Sequence, residues 1–140
     1  MKTEDQEVLV TYFVLCDSVI TEAGTGKQSL IGIYSGLLTQ AFPMQANLAV
    51  AVGLRVQSPE KREITFRFSG PDGTTIFDSP PLPANWESVP QSIQVNGFAT
   101  VQISLNVRSM PFVSAGNYTA AVLCDGALAS TYPLTVQLQK

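Results

Sequence analysis

Gly116 to Leu138 reads GNYTAAVLCDGALASTYPLTVQL, and this stretch decides the fold class. Two apolar runs flank Asp125-Gly126. Both central residues of a type I′ turn need positive φ, and Asp-Gly supplies them cheaply. The stretch is therefore a closing β-hairpin. Cross-strand partners share a face. Around a two-residue turn, Cys124 meets Ala127, Val122 meets Ala129 and Tyr118 meets Pro133. Tyr118, Val122 and Cys124 then lie on one side. Leu134, Val136 and Leu138 alternate with Thr135, Gln137 and Gln139, and straight counting sends them to the other side. One extra residue in the second strand brings them back. The expected place for that bulge is Pro133, because proline donates nothing to a ladder.

Working outward, three more segments alternate with period two. Leu48, Val50, Val52, Leu54 and Val56 form one. Ile64, Phe66 and Phe68 form another, and Val101, Ile103, Leu105 and Val107 a third. One apolar and one polar face mean an antiparallel sheet packed on a core. The expected core is Val50, Val52, Leu54, Phe66, Phe68, Val101, Ile103, Leu105, Tyr118 and Val122. Pro71-Asp72-Gly73 is a turn, followed by a short strand at Thr75–Phe77. Ser29 to Leu38 is expected as one strand, with Gly32 and Gly36 marking a bulge or a close backbone approach. Ile93 to Val95 is expected as a short strand before Gly97. No segment shows a useful helical period.

Val8 to Ile20, VLVTYFVLCDSVI, differs from these. It is apolar on both faces: Val8, Val10, Tyr12, Val14 and Cys16 on one, Leu9, Phe13 and Leu15 on the other. A strand of this kind is covered on both sides or meets a partner. Ser79 to Pro90 holds Pro80, Pro81, Pro83 and Pro90 and the sole tryptophan, Trp86. It is a long loop with polyproline II bias. About nine strands at this spacing make an all-β chain: an antiparallel β-sandwich, immunoglobulin-like or Greek key in type, as a single domain over residues 1–140.

Composition narrows the function. The chain has 140 residues, 45% hydrophobic but only 14% charged, against about a quarter in an average protein. A surface this poor in charge either meets a partner or is rich in Ser, Thr, Gln and Asn. Net charge is −3 and the basic residues are scattered, so no nucleic-acid partner is expected. No stretch suits a membrane span, and Met1 to Glu7 lacks the basic opening of a secretory leader. A cytoplasmic location with reduced cysteines is the expectation.

The chain has no histidine, which removes the commonest general base and metal ligand. A Ser-His-Asp or Cys-His nucleophile cannot form. Cys16 and Cys124 sit in apolar strands and suit small buried hydrophobes; a bridge between them would need facing strands and a secreted chain. Asp17, Asp72, Asp78 and Asp125 could gather at one end of a sandwich to hold calcium, but turn and cap roles fit their spacing better. Gly24-Thr25-Gly26-Lys27 lacks the glycine spacing of a phosphate loop. The repeated Val-Leu-Cys-Asp at 14–17 and 122–125 has no matching flanks. Pro80-Pro81-Leu82-Pro83 could present a polyproline ligand, but a rigid crossover with Trp86 packed over the core edge is favoured.

Two stretches together resemble an uncharacterised family of short bacterial proteins. One runs from Tyr12-Phe13-Val14-Leu15-Cys16-Asp17 through Ser29-Leu30-Ile31-Gly32-Ile33-Tyr34 to Phe42-Pro43. The other runs from Gly116-Asn117-Tyr118 through Asp125-Gly126 to Pro133-Leu134. The resemblance implies a small cytoplasmic β-sandwich and carries no catalytic residue. Gly116-Asn117-Tyr118 also resembles the penultimate strand of immunoglobulin-like domains, although Tyr118 precedes Cys124 by six residues rather than two.

The function expected is a non-enzymatic protein-interaction or assembly module, without cofactor or metal. A structural part of a phage particle or secretion apparatus, and a small-ligand-binding protein, are the alternatives. The candidate surface is Leu9, Phe13 and Leu15, covered by a protein partner, by a second copy in a homodimer, or by Leu82 and Trp86 acting as a lid.

Overall fold

A computed structural model describes residues 7–139. The polar opening at 1–6, where a leader would begin, lies outside the described residues. In chain order the elements are β1 (Val8–Thr21), β2 (Gln28–Ile33), β3 (Leu37–Thr39), β4 (Met44–Val56), β5 (Ile64–Ser69) and β6 (Thr75–Asp78). Then come α1 (Val89–Asn96), β7 (Ala99–Phe112), β8 (Gly116–Cys124) and β9 (Ala127–Leu138). The strands form two sheets, ordered β2-β1-β4-β7 and β3-β9-β8-β5-β6. This is an all-β sandwich. Every pairing is antiparallel except β3 with β9.

The core forms because each central strand turns one face inward. Val50, Val52, Leu54, Val101 and Ile103 meet Phe66, Phe68, Tyr118, Ala120 and Val122, all buried. Rings run through the middle. Phe66 stacks on Phe68 at 6.5 Å, Phe68 on Tyr118 at 5.7 Å, and Phe112 stands edge-on to Tyr118 at 5.0 Å. Tyr118 keeps its hydroxyl satisfied by donating to the Ser114 carbonyl at 2.7 Å. Of the ten expected core residues only Leu105, on the edge strand β7, is half-buried.

The closing hairpin forms as expected, with Asp125 and Gly126 at φ 51° and 83°. Its extra residue is Ala129, not Pro133. Leu123 pairs with Leu128 and Val122 with Ser130, so Ala129 has no opposite number. Pro133 sits in register opposite Thr119. Past the bulge Tyr118 pairs with Leu134, and Leu134 and Val136 enter the core.

A second bulge corrects the reading of β1. Val10 pairs with Leu54 and Tyr12 with Gly53, which leaves Thr11 over. The parity of β1 flips there. Val8 and Val10 point inward before it, Phe13 and Leu15 after it. Leu9, Tyr12, Val14 and Cys16 point outward. Both faces of the run are apolar in sequence because each half of the strand serves the core from a different parity.

The segment Ser29 to Leu38 is two strands in two sheets. Gly32 takes φ 70° between the Ser18–Ile31 and Cys16–Ile33 pairs, and a Cβ there would collide with the Asp17 carboxylate. The chain then crosses between the sheets. Tyr34 donates its amide to the Leu15 carbonyl at 2.9 Å and accepts at its own carbonyl from the Tyr132 hydroxyl. Residues 93–95 belong to α1 rather than to a strand. Pro90 suits the first turn of a helix, and Gly97 at φ 84° closes it by donating to the Ile93 carbonyl at 2.7 Å.

Candidate functional site

β1 is longer than the sheet it starts in. Val8 to Cys16 pair with β4, and Cys16 to Thr21 pair with β2 instead. The β1–β2 hairpin is therefore an arm. Gln28, at its far end, lies opposite Thr21, and its side-chain carbonyl accepts from the Tyr12 hydroxyl. Nine extended residues separate Tyr12 from Thr21, which is about 30 Å of straight strand. Two side chains cannot bridge that distance. The strand curls instead, and the arm arches back over the outer face of the β2-β1-β4-β7 sheet.

Small residues make room for this. Ala49, Ala51 and Gly53 of β4 point outward and are buried. The Tyr12 ring occupies the space where a Gly53 side chain would be. Burial raises the Tyr12 pKa, and a hydrogen bond with Gln102 partly offsets the rise.

Between the arm and the outer face of β7 lies an open groove of about 1100 Å³. Thr21 and Gln28 line it from the arm, Thr100, Gln102 and Ser104 from β7, and Asn85 and Trp86 from the loop before α1. Lys61 and Glu87 are the charged residues of its wall. Trp86 also walls a neighbouring depression of about 620 Å³ that holds Arg62, Ile64 and Leu82.

The arm has a second face. Cys16 pairs with Ile33, Ser18 with Ile31 and Ile20 with Ser29, so these residues share one face of the arm. Ile20, Ile31 and Ile33 are exposed there, at 53%, 47% and 57%. β2 is an edge strand, and its sequence QSLIGI has neither charge nor proline. Cys16 itself is buried. Burial first, then the Asp17 charge, pushes its thiol pKa up.

The five candidate surface residues do not form one surface. Phe13 and Leu15 are core residues, at 7% and 0% exposure, because the Thr11 bulge turns them inward. Leu9 alone remains outside, at 57%, and shares a shallow cleft with Leu128 and Arg62. Leu82 is buried and donates its amide to the Ile64 carbonyl at 2.7 Å. It continues the edge of β5, so it neither covers Leu9 nor presents a polyproline ligand. Trp86 is half-buried against the core rim, where the loop reading put it. The arm, the groove and the isoleucine face were not expected from sequence. Gly32 and the length of Val8–Thr21 were their only signals.

The acidic residues keep to local work. Asp125 accepts from the Glu63 amide at 2.9 Å and pairs with Arg62 at 3.2 Å; Arg62 also pairs with Glu7. Burial opposes the Arg62 charge, but the Asp125 hydrogen bond and the charges of Cys124, Asp125 and Glu7 outweigh it and raise the pKa. Asp72 accepts from the Thr74 amide in its turn, and Asp78 pairs with Arg67 at 2.8 Å. Among the described residues no three of Cys, Asp and Glu gather as a metal site would require. Among them, too, no helix is long and apolar enough to cross a membrane.

A model of a family of unknown function, DUF6941, matches residues 11–137. The chain belongs to this family. The match takes in both stretches that carried the resemblance to an uncharacterised family. No curated protein matches the DUF6941 chain. Among solved structures it is similar to Pseudomonas fluorescens alkylpurine DNA glycosylase AlkC bound to DNA containing an abasic site analog. The TM-score is 0.54 at 10% sequence identity, over 94% of this chain and 30% of the glycosylase. At that identity the likeness is one of fold. The DUF6941 chain spans under a third of the glycosylase's length.

Proposed function

We propose that this DUF6941 chain is a non-enzymatic assembly module that docks through the free edge of β2. One observation carries the reading. An edge strand usually protects itself with charge, proline or brevity. β2 has six residues, no charge and no proline, and it carries Ile31 and Ile33 beside Ile20 on one exposed face. The simplest occupant is the same edge of a second copy. Two antiparallel β2 strands related by a two-fold axis satisfy each other's backbone groups and cover both isoleucine faces. The low charge of the chain favours such a contact.

The absence of histidine supports a non-enzymatic role, as do carboxylates engaged in turns and ion pairs. An immunoglobulin-like, Greek-key topology belongs to the same reading. The order β1-β4-β7 facing β3-β9-β8-β5-β6 supports it, and so does the Tyr118 hydroxyl bound to a carbonyl four residues upstream. A cytoplasmic setting is the compartment that two thiols favour.

Sedimentation velocity tests the docking edge. The native chain is expected to sediment as a dimer at about 100 μM, a concentration that captures weak association. The double variant Ile31→Lys, Ile33→Lys is expected to be a folded monomer. A native chain that stays monomeric at that concentration ends the homodimer.

A further inference from the structure

We infer that the groove between the arm and β7 is a binding site for a neutral oligosaccharide. Its walls carry the chemistry that such a ligand needs. A sugar ring presents C–H groups on one face and hydroxyls around its rim. Each hydroxyl both donates and accepts. The groove offers one large aromatic surface, Trp86, and around it a set of short neutral polar groups. Thr21, Thr100 and Ser104 provide hydroxyls that donate or accept. Gln28 and Asn85 provide amides whose carbonyls are already engaged. The Gln28 carbonyl accepts from Tyr12 and that of Asn85 from the Glu87 amide at 3.0 Å. Their NH₂ groups are left as donors, held in place by those bonds. Gln102 adds a third amide from the middle of β7.

Charge discriminates among ligands. The wall has Lys61 and Glu87, one of each sign. A nucleic acid strand would need several cations along its phosphates. An acidic or basic peptide would need a field of one sign, and an apolar ligand a dry, mostly hydrophobic wall. A neutral, hydroxyl-rich chain is what remains. The volume of about 1100 Å³ and the open shape suit several linked rings rather than one. The arm makes the site: without the curl of β1, Thr21 and Gln28 would not stand across from Gln102.

Trp86 is the sole tryptophan, so tryptophan emission reports on this groove and the depression beside it, and Ser104, which lines the groove alone, tells the two apart. Cellotriose, maltotriose and chitotriose are titrated against the full chain. At least one is expected to change Trp86 emission saturably, with a dissociation constant of order 1 mM, as befits an open site. Ser104→Ala, on the exposed outer face of β7, should weaken that sugar about fivefold, the loss of one neutral hydrogen bond, without shifting the unfolding midpoint. The inference is overturned if none of the three sugars changes the emission up to about 10 mM. It is equally overturned if Ser104→Ala binds the responding sugar as tightly as the native chain. Tight, salt-sensitive binding of a hexathymidylate in place of any sugar would assign the groove to nucleic acid. Sedimentation of the two-lysine variant is a separate measurement, so failure of the dimer and failure of the sugar site are distinguishable.

Discussion

The Tyr12 ring lies over Gly53 on the outer face of its sheet, in the volume a side chain at 53 would fill. The two residues are direct cross-strand partners. The ring reaches Gln28 across this bare backbone and so tethers the arm. Gly53→Ala puts a methyl group into the ring. The expected cost is about 1–3 kcal/mol, the usual penalty of overpacking a filled site. Hydrogen exchange in Val19–Leu30 should quicken as the tether loosens. In a Tyr12→Ala background the same substitution should cost nothing, since alanine is otherwise no worse than glycine in a strand. Equal costs in both backgrounds would show that the ring does not depend on the glycine.

Phe66 touches both sheets. It stands edge-on to Phe13 of β1 at 6.2 Å and stacks on Phe68 of its own strand, with no exposure. Phe66→Ala removes the centre of the aromatic row. Chemical denaturation should show a loss of about 3–5 kcal/mol, the range for a buried phenylalanine in a packed core. A loss under about 1 kcal/mol would match a surface site and contradict the burial.

Stability should fall at alkaline pH through the tyrosines. Burial, then the Asp17 hydrogen bond and the charges of Asp17 and Cys16, push Tyr34 up from 10.0 to about 12. Tyr12 and Tyr132 are raised too, chiefly by burial. The fold thus holds these phenol protons more tightly than the unfolded chain does. Their contribution is complete below pH 10.0 and is lost as the pH climbs toward about 12. The urea midpoint should drop across that window. Tyr34→Phe has no proton to lose and should drop less steeply. An equally steep fall in the variant would place the alkaline loss elsewhere.

Much of the sandwich was legible because its central strands keep strict alternation. Val50, Phe66 and Ile103 face the core for the reason their neighbours do not. The arm was not legible, and the cause lies at Thr11. A bulge residue carries no chemical mark when it is neither glycine nor proline, so the parity change inside Val8–Cys16 looked like two apolar faces. That error sent Phe13 and Leu15 to the surface and made a lid of Leu82. Helix α1 failed differently. Eight residues show barely two turns of periodicity, and the isoleucine and valine at 93 and 95 favour a strand. Pro90 and Gly97 were the better guides, since they act on the backbone itself.

The bulge at Ala129 yields the last prediction. The turn fixes the register of the hairpin at Cys124 and Ala127, and the core fixes it again at Tyr118 and Leu134. Between those two anchors the second strand needs one residue more than the first. Ala129 is that residue, and it does nothing else for the core. Deleting it keeps the turn but turns Leu134 and Val136, both fully buried, toward solvent. Each forfeits roughly 1.5–3 kcal/mol. The same shift drives Thr135 and the polar rim of β9 into the space they leave. Those losses together approach the whole stability of a domain this size. The deletion variant is therefore expected to be unfolded, or to keep its sheets without a cooperative transition. Deleting Gly24 from the exposed β1–β2 turn also removes one residue but leaves every core partner in register. It should unfold cooperatively, within about 1 kcal/mol of the native chain. If both deletions unfold with similar midpoints, the second strand has re-registered, and the bulge is not what holds Leu134 and Val136 in the core.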